Sequence, residues 1–261
     1  MFSWLRRGRR AGAPPVPKPA PEERIYAIGD VHGRDDLLGK LLPRLADDAA
    51  GREAVEGDGR TPVLVFLGDL VDRGDHTREA LDMARAAARD WARVVYLRGN
   101  HEAALLDFLA RPETGAPWLG FGGRQTLGSY GVPVPKAQPD PDELRAAAAA
   151  LARAMGDHVA FLEGMATLYR SGDVVCAHAG IDPARPVEAQ SEEATLWGRS
   201  DFLQAGPPPG LRVVHGHWAD PEPVVGLHRI CVDTGAYYSG RLTAVRLDEE
   251  TALMTVDVFD P

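Results

Sequence analysis

Three short segments of the chain place a ligand-type side chain beside glycine at the end of an apolar run. They are GDVHGR (29–34), GDLVDRG (68–74) and RGNHE (98–102). Two later segments, CAHAG around His178 and HGHW around His217, add imidazoles. Carboxylate oxygen, imidazole nitrogen and amide oxygen are the donor atoms that divalent transition metals take. The neighbouring glycines let the backbone turn sharply and let an ion or a phosphate come close. Singly, each segment is weak. Asp beside Gly is ordinarily a turn, Asn100 ahead of an apolar helix reads as a cap, and a lone His178 reads as a hydrogen-bonded core residue. Together and in this order they point to a metal site centred on Asp69.

The elements that must position these residues can be read from hydrophobic pattern. The run VLVFL (63–67) ends abruptly at Gly68 and Asp69 and reads as a buried strand. Open α/β sheets bind ligands where such strands end. A strand over 24–28 precedes the first motif, and Asp35 caps a helical pattern through Leu37, Leu38, Leu41, Leu42 and Leu45. Residues 51–62 are polar and turn-rich and read as a loop. A helix over 77–91, a strand over 94–97 and a helix over 103–109 follow, an alternation that predicts an α/β fold.

Residues 112–141 are rich in Gly and Pro and contain FGGRQTLGSYGV; helices over 142–155 and 157–162 come next. The whole stretch 112–163 reads as a helical insertion in one catalytic domain, a lid or pocket wall over the site. Strands are expected over 166–169, 174–177, 212–215, 224–227, 230–233, 242–247 and 253–259. Two mixed β-sheets packed as a sandwich with outer helices would bury them all.

Charge bounds the partners. The chain has a formal net charge of −9. Residues 1–24 hold six basic and two acidic side chains, a balance of +4 that leaves −13 on the rest. That disfavours coating nucleic acid and makes the body a poor host for an anionic substrate unless bound cations sit within it. Residues 1–23 form a basic, Pro-rich segment expected to be a disordered tail. Its Phe2, Trp4, Leu5 and arginines offer contacts to an anionic membrane, a reading we rank below a plain tail. It lacks the apolar core and cleavage site of a secretory signal, and a cytoplasmic protein with two buried, reduced cysteines, Cys176 and Cys231, is expected.

The motif set resembles the phosphoprotein phosphatase family of the calcineurin-like metallophosphoesterases, in its bacterial, lambda-phosphatase-like serine/threonine form. The likeness runs from about residue 24 to the C-terminus and includes DTGAYYSGRLTAV. It implies a phosphoric ester hydrolase with two divalent metal ions, manganese by expectation with iron or zinc as alternatives. Asp30 and His32 would bind one metal, Asp69 would bridge both, and Asn100, His178 and His217 would complete the second. A metal-bridging hydroxide would attack phosphorus directly. His101, oriented by Asp72, would protonate the leaving group, and Arg73, Asn100 and Arg199 would hold phosphate oxygens. His215 is read as structural, because the Gly-His-x-His ending of other superfamily branches is absent. His76, His158 and His228 fall outside the motifs and are expected at the surface or in loops.

Two substrate classes share this core. His32 stands where the dinucleotide-cleaving branch typically carries Gln, so a serine/threonine protein phosphatase is expected first. A symmetrical bis(5'-nucleosyl)-tetraphosphatase acting on diadenosine tetraphosphate is the alternative. Arg124, Tyr130, Tyr237 and Tyr238 are candidates for leaving-group contacts. A catalytically silent scaffold would have lost a ligand or an arginine, and none is lost here.

Overall fold

The computed structural model describes residues 15–57, 59–87 and 90–260. The chain runs β1 (Glu23–Ile28), α1 (Asp35–Glu56), β2 (Thr61–Phe66), α2 (Thr77–Ala86), β3 (Arg93–Tyr96) and α3 (Asn100–Ala110). The segment up to residue 163 holds α4 (Ala116–Trp118), a wide turn at Leu119–Gly123, α5 (Arg124–Ser129), α6 (Pro141–Met155) and α7 (Asp157–Glu163). Then come β4 (Leu168–Ser171), β5 (Val174–Ala177), α8 (Ser200–Ala205), β6 (Arg212–His215), β7 (Val224–Val225), β8 (Arg229–Cys231), α9 (Ala236–Ser239), β9 (Arg241–Leu247) and β10 (Thr251–Asp257).

The strands form two five-stranded mixed sheets, ordered β10-β9-β1-β2-β3 and β4-β5-β6-β8-β7. β1, β2 and β3 are parallel, with Ile28 opposite Phe66 and Phe66 opposite Tyr96. Their C-terminal ends therefore lie side by side, and each motif follows one of them. Side-chain alternation sends Ile25, Ala27, Val63 and Val65 into the layer between the sheets, where they meet Val174, Cys176, Val214 and Ile230. Tyr26, Ile28, Leu64 and Phe66 face the other way, onto α1, α2 and α3. The expected sandwich with outer helices is what forms. Among the described residues, no helix is long and apolar enough to cross a membrane.

Several local expectations are corrected. α1 does not stop at residue 50 but continues to Glu56, ending on left-handed Gly57 (φ 54°). The polar composition of that last stretch misled because its charges are paired: Arg52 bonds Glu56, which also reaches the buried Arg24. Asp35 is not the cap but the first helical residue, where it and Asp36 face the positive end of the helix dipole. Residues 17–20, expected within the tail, pack against the body. Pro17 and Pro19 are buried, Lys18 O accepts from Asp173 N at 2.9 Å, and Ala20 N donates to Ser171 Oγ at 2.9 Å. The membrane contacts considered for Phe2, Trp4 and Leu5 lie outside the described residues. Both cysteines are buried free thiols.

The stretch 112–163 shares the main core. Trp118, Leu127, Leu144, Leu151 and Leu162 belong to the same apolar cluster as Leu38 of α1 and Phe66 of β2. His158 is not a surface residue but 5% exposed, with its Nδ1 2.6 Å from Tyr130 Oη and its Nε2 3.1 Å from Asp82 Oδ1 on α2. Since the carboxylate accepts, Nε2–H donates to Asp82 and Nδ1 accepts from the Tyr130 hydroxyl. Burial lowers the His158 pKa. The folded protein thus refuses a proton that the unfolded chain takes up below its ordinary value of about 6.5, so stability falls as pH drops through that value. His158→Gln is expected to lose less stability between pH 7.5 and pH 5.5 than the parent, read from urea midpoints at the two pH values. Equal losses would remove this clasp from the account.

Candidate metal centre

The turn after β2 carries the centre. Among the described residues only five non-glycine residues have positive φ: His32 (47°), Asp69 (52°), Asp72 (71°), Arg73 (69°) and His217 (63°). All five were expected site residues. Left-handed backbone costs a residue with a Cβ about 1–2 kcal/mol, and it persists only where surroundings enforce it. Glu102 of α3 supplies much of the enforcement. Its Oε2 accepts from Asp69 N and Gly99 N, both at 2.8 Å, and its Oε1 from Leu70 N at 2.7 Å and Val71 N at 3.2 Å. Burial beside Asp69 pushes the Glu102 carboxyl up to about 7, against the pull of these donors. Gly99 is required by close approach: a Cβ there would sit 2.1 Å from Asp69 Oδ1.

Two clusters of donor atoms meet at Asp69. His32, Asp69 and His101 form one and Asp69, His178 and His217 the other, with the ligand atoms of each within 4.8 Å of one another. Asp69 Oδ2 is 3.5 Å from both His32 Nε2 and His178 Nε2. His32 Nδ1 lies 2.8 Å from Val71 O, and His178 Nδ1 lies 2.9 Å from Leu67 O. Carbonyls only accept, so both rings donate from Nδ1 and turn a lone pair on Nε2 inward. His178 Nε2 and His217 Nδ1 each stand 2.9 Å from Asn100 Oδ1. Lone-pair atoms thus converge on one another, an arrangement that a cation resolves.

Asp30 sits at the edge of this group, its Oδ2 accepting from His217 N at 3.1 Å. It shares a hydrogen bond with Asp233, and burial, Asp233 and Asp69 raise its pKa well above the carboxylate range. Two touching buried carboxyls are what a bound cation would relieve. The donor set therefore fits divalent metal ions. Asp69 itself is held well below the usual range by His178, His101 and His32, although its burial works the other way. Burial lowers His32 to about 3 and His217 to about 4.

Beside the clusters, His101 Nδ1 lies 2.8 Å from Asp72 Oδ2, while its Nε2 is buried and has no hydrogen-bond partner. Burial lowers the His101 pKa, but Asp69 and Asp72 outweigh it and the net shift is upward. Arg73 lies over the Tyr237 ring, Cζ 4.9 Å from its centroid. It lines a cavity of about 500 Å³ together with Phe121, Gly122, Arg124, Gln125 and Tyr237. One expected contact is corrected: Tyr130 is buried with its hydroxyl on His158, away from the cavity. Arg199 is half-exposed with its guanidinium on Asp201 (2.8 Å), two residues along at the start of α8. His215 is structural as expected, between Gly216 O and Arg229. His76 is exposed, and His228 is half-buried on Leu211 O.

Sequence reasoning missed Glu102, Asp233, Trp118 and Thr126. Glu102 stands inside RGNHE and Asp233 inside VDTG, so the signal was present without a role attached. Trp118 Nε1 donates to Asp72 Oδ2 at 2.9 Å and Thr126 Oγ1 to Asp72 Oδ1 at 2.6 Å.

A sandwich of two mixed sheets with histidines and carboxylates gathered at adjacent strand ends has the architecture of a metal-dependent phosphoric ester hydrolase. Over residues 23–248 the chain matches the calcineurin-like phosphoesterases, and it belongs to that family. It is 26% identical to the symmetrical bis(5'-nucleosyl)-tetraphosphatase of Methylococcus capsulatus, across 86% of this chain and 91% of that protein. It is 28% identical to the asymmetrical bis(5'-nucleosyl)-tetraphosphatase PrpE of Bacillus subtilis, across 85% and 90%. A crystal structure of a putative diadenosine tetraphosphatase superposes with TM-score 0.62 over 93% of this chain and 97% of that one, at 20% identity, a likeness of fold. These relatives match the second substrate reading better than the serine/threonine phosphatase expected from His32.

Proposed function

We propose that the protein hydrolyses dinucleoside tetraphosphates of the diadenosine type, cleaving them symmetrically. The observation that carries this reading is the match, over about nine-tenths of their length, to relatives named for that substrate class. The cavity of about 500 Å³ beside the clusters supports it, since it offers Arg73 and two aromatic rings, Phe121 and Tyr237, to a nucleotide, while Arg124 in its wall bonds Pro135 O and Lys136 O. Arginine forks suit phosphates and aromatic faces suit bases.

In this reading Asp30, His32 and Asp69 would hold one divalent ion and Asp69, Asn100, His178 and His217 the other. The ions, when bound, neutralise phosphate charge and supply a water of lowered pKa. Arg73 grips oxygens of the phosphoryl group under attack. His101, as the imidazolium with its Nδ1–H given to Asp72, carries a proton on Nε2 for the departing oxygen, and Asp72 orients the ring and favours its charged form. Phe121, Arg124, Tyr237 and Tyr238 face the leaving nucleotide.

The test is a paired assay of manganese-loaded protein on diadenosine tetraphosphate and on a phosphoserine peptide, with Asp69→Asn as blank. Preference for the dinucleotide with ADP as sole product is expected. ATP plus AMP would assign asymmetrical cleavage, and preference for the peptide would restore the protein phosphatase. Phe121→Ala is expected to raise KM for the dinucleotide about tenfold, the scale of one lost base stack, and to change KM for p-nitrophenyl phosphate less. Equal changes would take Phe121 out of the leaving-group site.

A further inference from the structure

We infer that the segment 116–126 is a positioning element of the active site, and that Trp118 and Thr126 act through Asp72 to aim His101. The inference rests on the reading of His101 as proton donor. It goes beyond that reading in assigning the aim of the ring to residues of the insertion.

Asp72 is fully buried and its carboxylate has three donors. His101 Nδ1–H and Trp118 Nε1–H share Oδ2, at 2.8 and 2.9 Å, and the Thr126 hydroxyl takes Oδ1 at 2.6 Å. A carboxylate with one partner can rotate about its terminal bond, whose torsion is broad. With both oxygens engaged from fixed elements it cannot, and its Oδ2 sets the plane and tilt of the imidazole. The holders are themselves fixed. Trp118 stacks on Phe108 of α3 with centroids 4.5 Å apart and lies against Gly123, where a Cβ would sit 2.4 Å from its ring. Thr126 is buried, and its Oγ1 also lies 3.1 Å from Asp72 N and 3.2 Å from Thr77 Oγ1.

The same segment holds the next residue. Arg73 N donates to Gly122 O at 3.3 Å, and a Cβ on Gly122, whose φ is 120°, would lie 2.4 Å from Arg73 N. So two of the three left-handed residues of the turn, Asp72 and Arg73, are tied to one stretch of the insertion. A plain lid would close over the site from outside. This stretch instead contributes two of the three side-chain donors to the buried carboxylate that orients His101.

The test compares leaving groups. p-Nitrophenolate departs readily without a proton, whereas phenolate needs one far more, so a misaimed donor costs most on phenyl phosphate. His101→Asn serves as reference and is expected to lose at least tenfold more kcat on phenyl phosphate than on p-nitrophenyl phosphate. Thr126→Val and Trp118→Phe should show the same direction of selective loss, with KM changed less than kcat, and Thr126→Ser should recover most of it. In the metal-free protein the Trp118 indole proton resonance, identified by its disappearance in Trp118→Phe, should move upfield in Asp72→Asn. If His101→Asn is selective but Thr126→Val and Trp118→Phe lose both substrates equally, the segment is structural and this inference is overturned alone. If His101→Asn is itself unselective, the proton-donor reading falls and this inference with it.

Discussion

Asp69→Asn is expected to lower kcat on the order of 10³-fold or more, the scale at which removing a central electrostatic partner acts in a preorganised site. The geometry says why. Asp69 Oδ2 is 3.5 Å from His32 Nε2 and His178 Nε2, and no other carboxylate oxygen belongs to both donor clusters among the described residues. The amide keeps the acceptor that Asp69 Oδ1 offers to His101 N at 3.1 Å, so the turn survives. Its NH₂ would point at lone pairs that accept it. The metal-free variant should therefore melt near the parent, while the rise in melting temperature that manganese gives the parent should largely vanish. Metal content by elemental analysis and melting curves with and without manganese check this. A variant that binds two equivalents of metal and keeps its activity would move the bridging role elsewhere.

The second large effect is expected from Glu102→Gln, a change at a fully buried side chain that bonds only backbone. Four backbone N–H groups converge on the Glu102 carboxylate, from Asp69, Leu70, Val71 and Gly99. A glutamine presents one oxygen and one NH₂, so N–H groups on one side lose their acceptor and face a donor. Leaving such a buried group unsatisfied costs about 1–3 kcal/mol. With a carboxylate replaced, about 3 kcal/mol of stability and at least tenfold in kcat should be lost together. Urea unfolding and steady-state kinetics on one preparation measure both. An unchanged midpoint would mean that the Asp69 turn is held by its flanking strand rather than by α3.

Much of this was readable from residue order. Asp30, His32, Asp69 and Asn100 stand in glycine-bearing motifs at the ends of apolar runs, the family resemblance those motifs carry added His178 and His217 to the donor set, and the parallel pairing of β1, β2 and β3 puts three of the strand ends together. What escaped were residues whose contacts cross between segments. Nothing near Thr126 or Trp118 announces a carboxylate 46 or more positions away. Asp233 was quoted within a matching stretch, but only the closed sandwich brings it onto Asp30. His32 tilted the substrate expectation one way and the relatives the other, because a residue on the metal side says little about the pocket that receives the leaving group.

The left-handed residues bear on how such a protein can change. His32, Asp69, Asp72, Arg73 and His217 occupy backbone that glycine would adopt with little strain. At each of them a glycine would relax the backbone while erasing chemistry, but at Asp72 it would also strip the acceptor from three buried donors. Selection for thermal robustness alone would therefore wear away Arg73, whose side chain answers no buried donor, before Asp72. A laboratory lineage evolved for heat tolerance without an activity screen should drift toward a sturdier, inert descendant in which Arg73 is lost first.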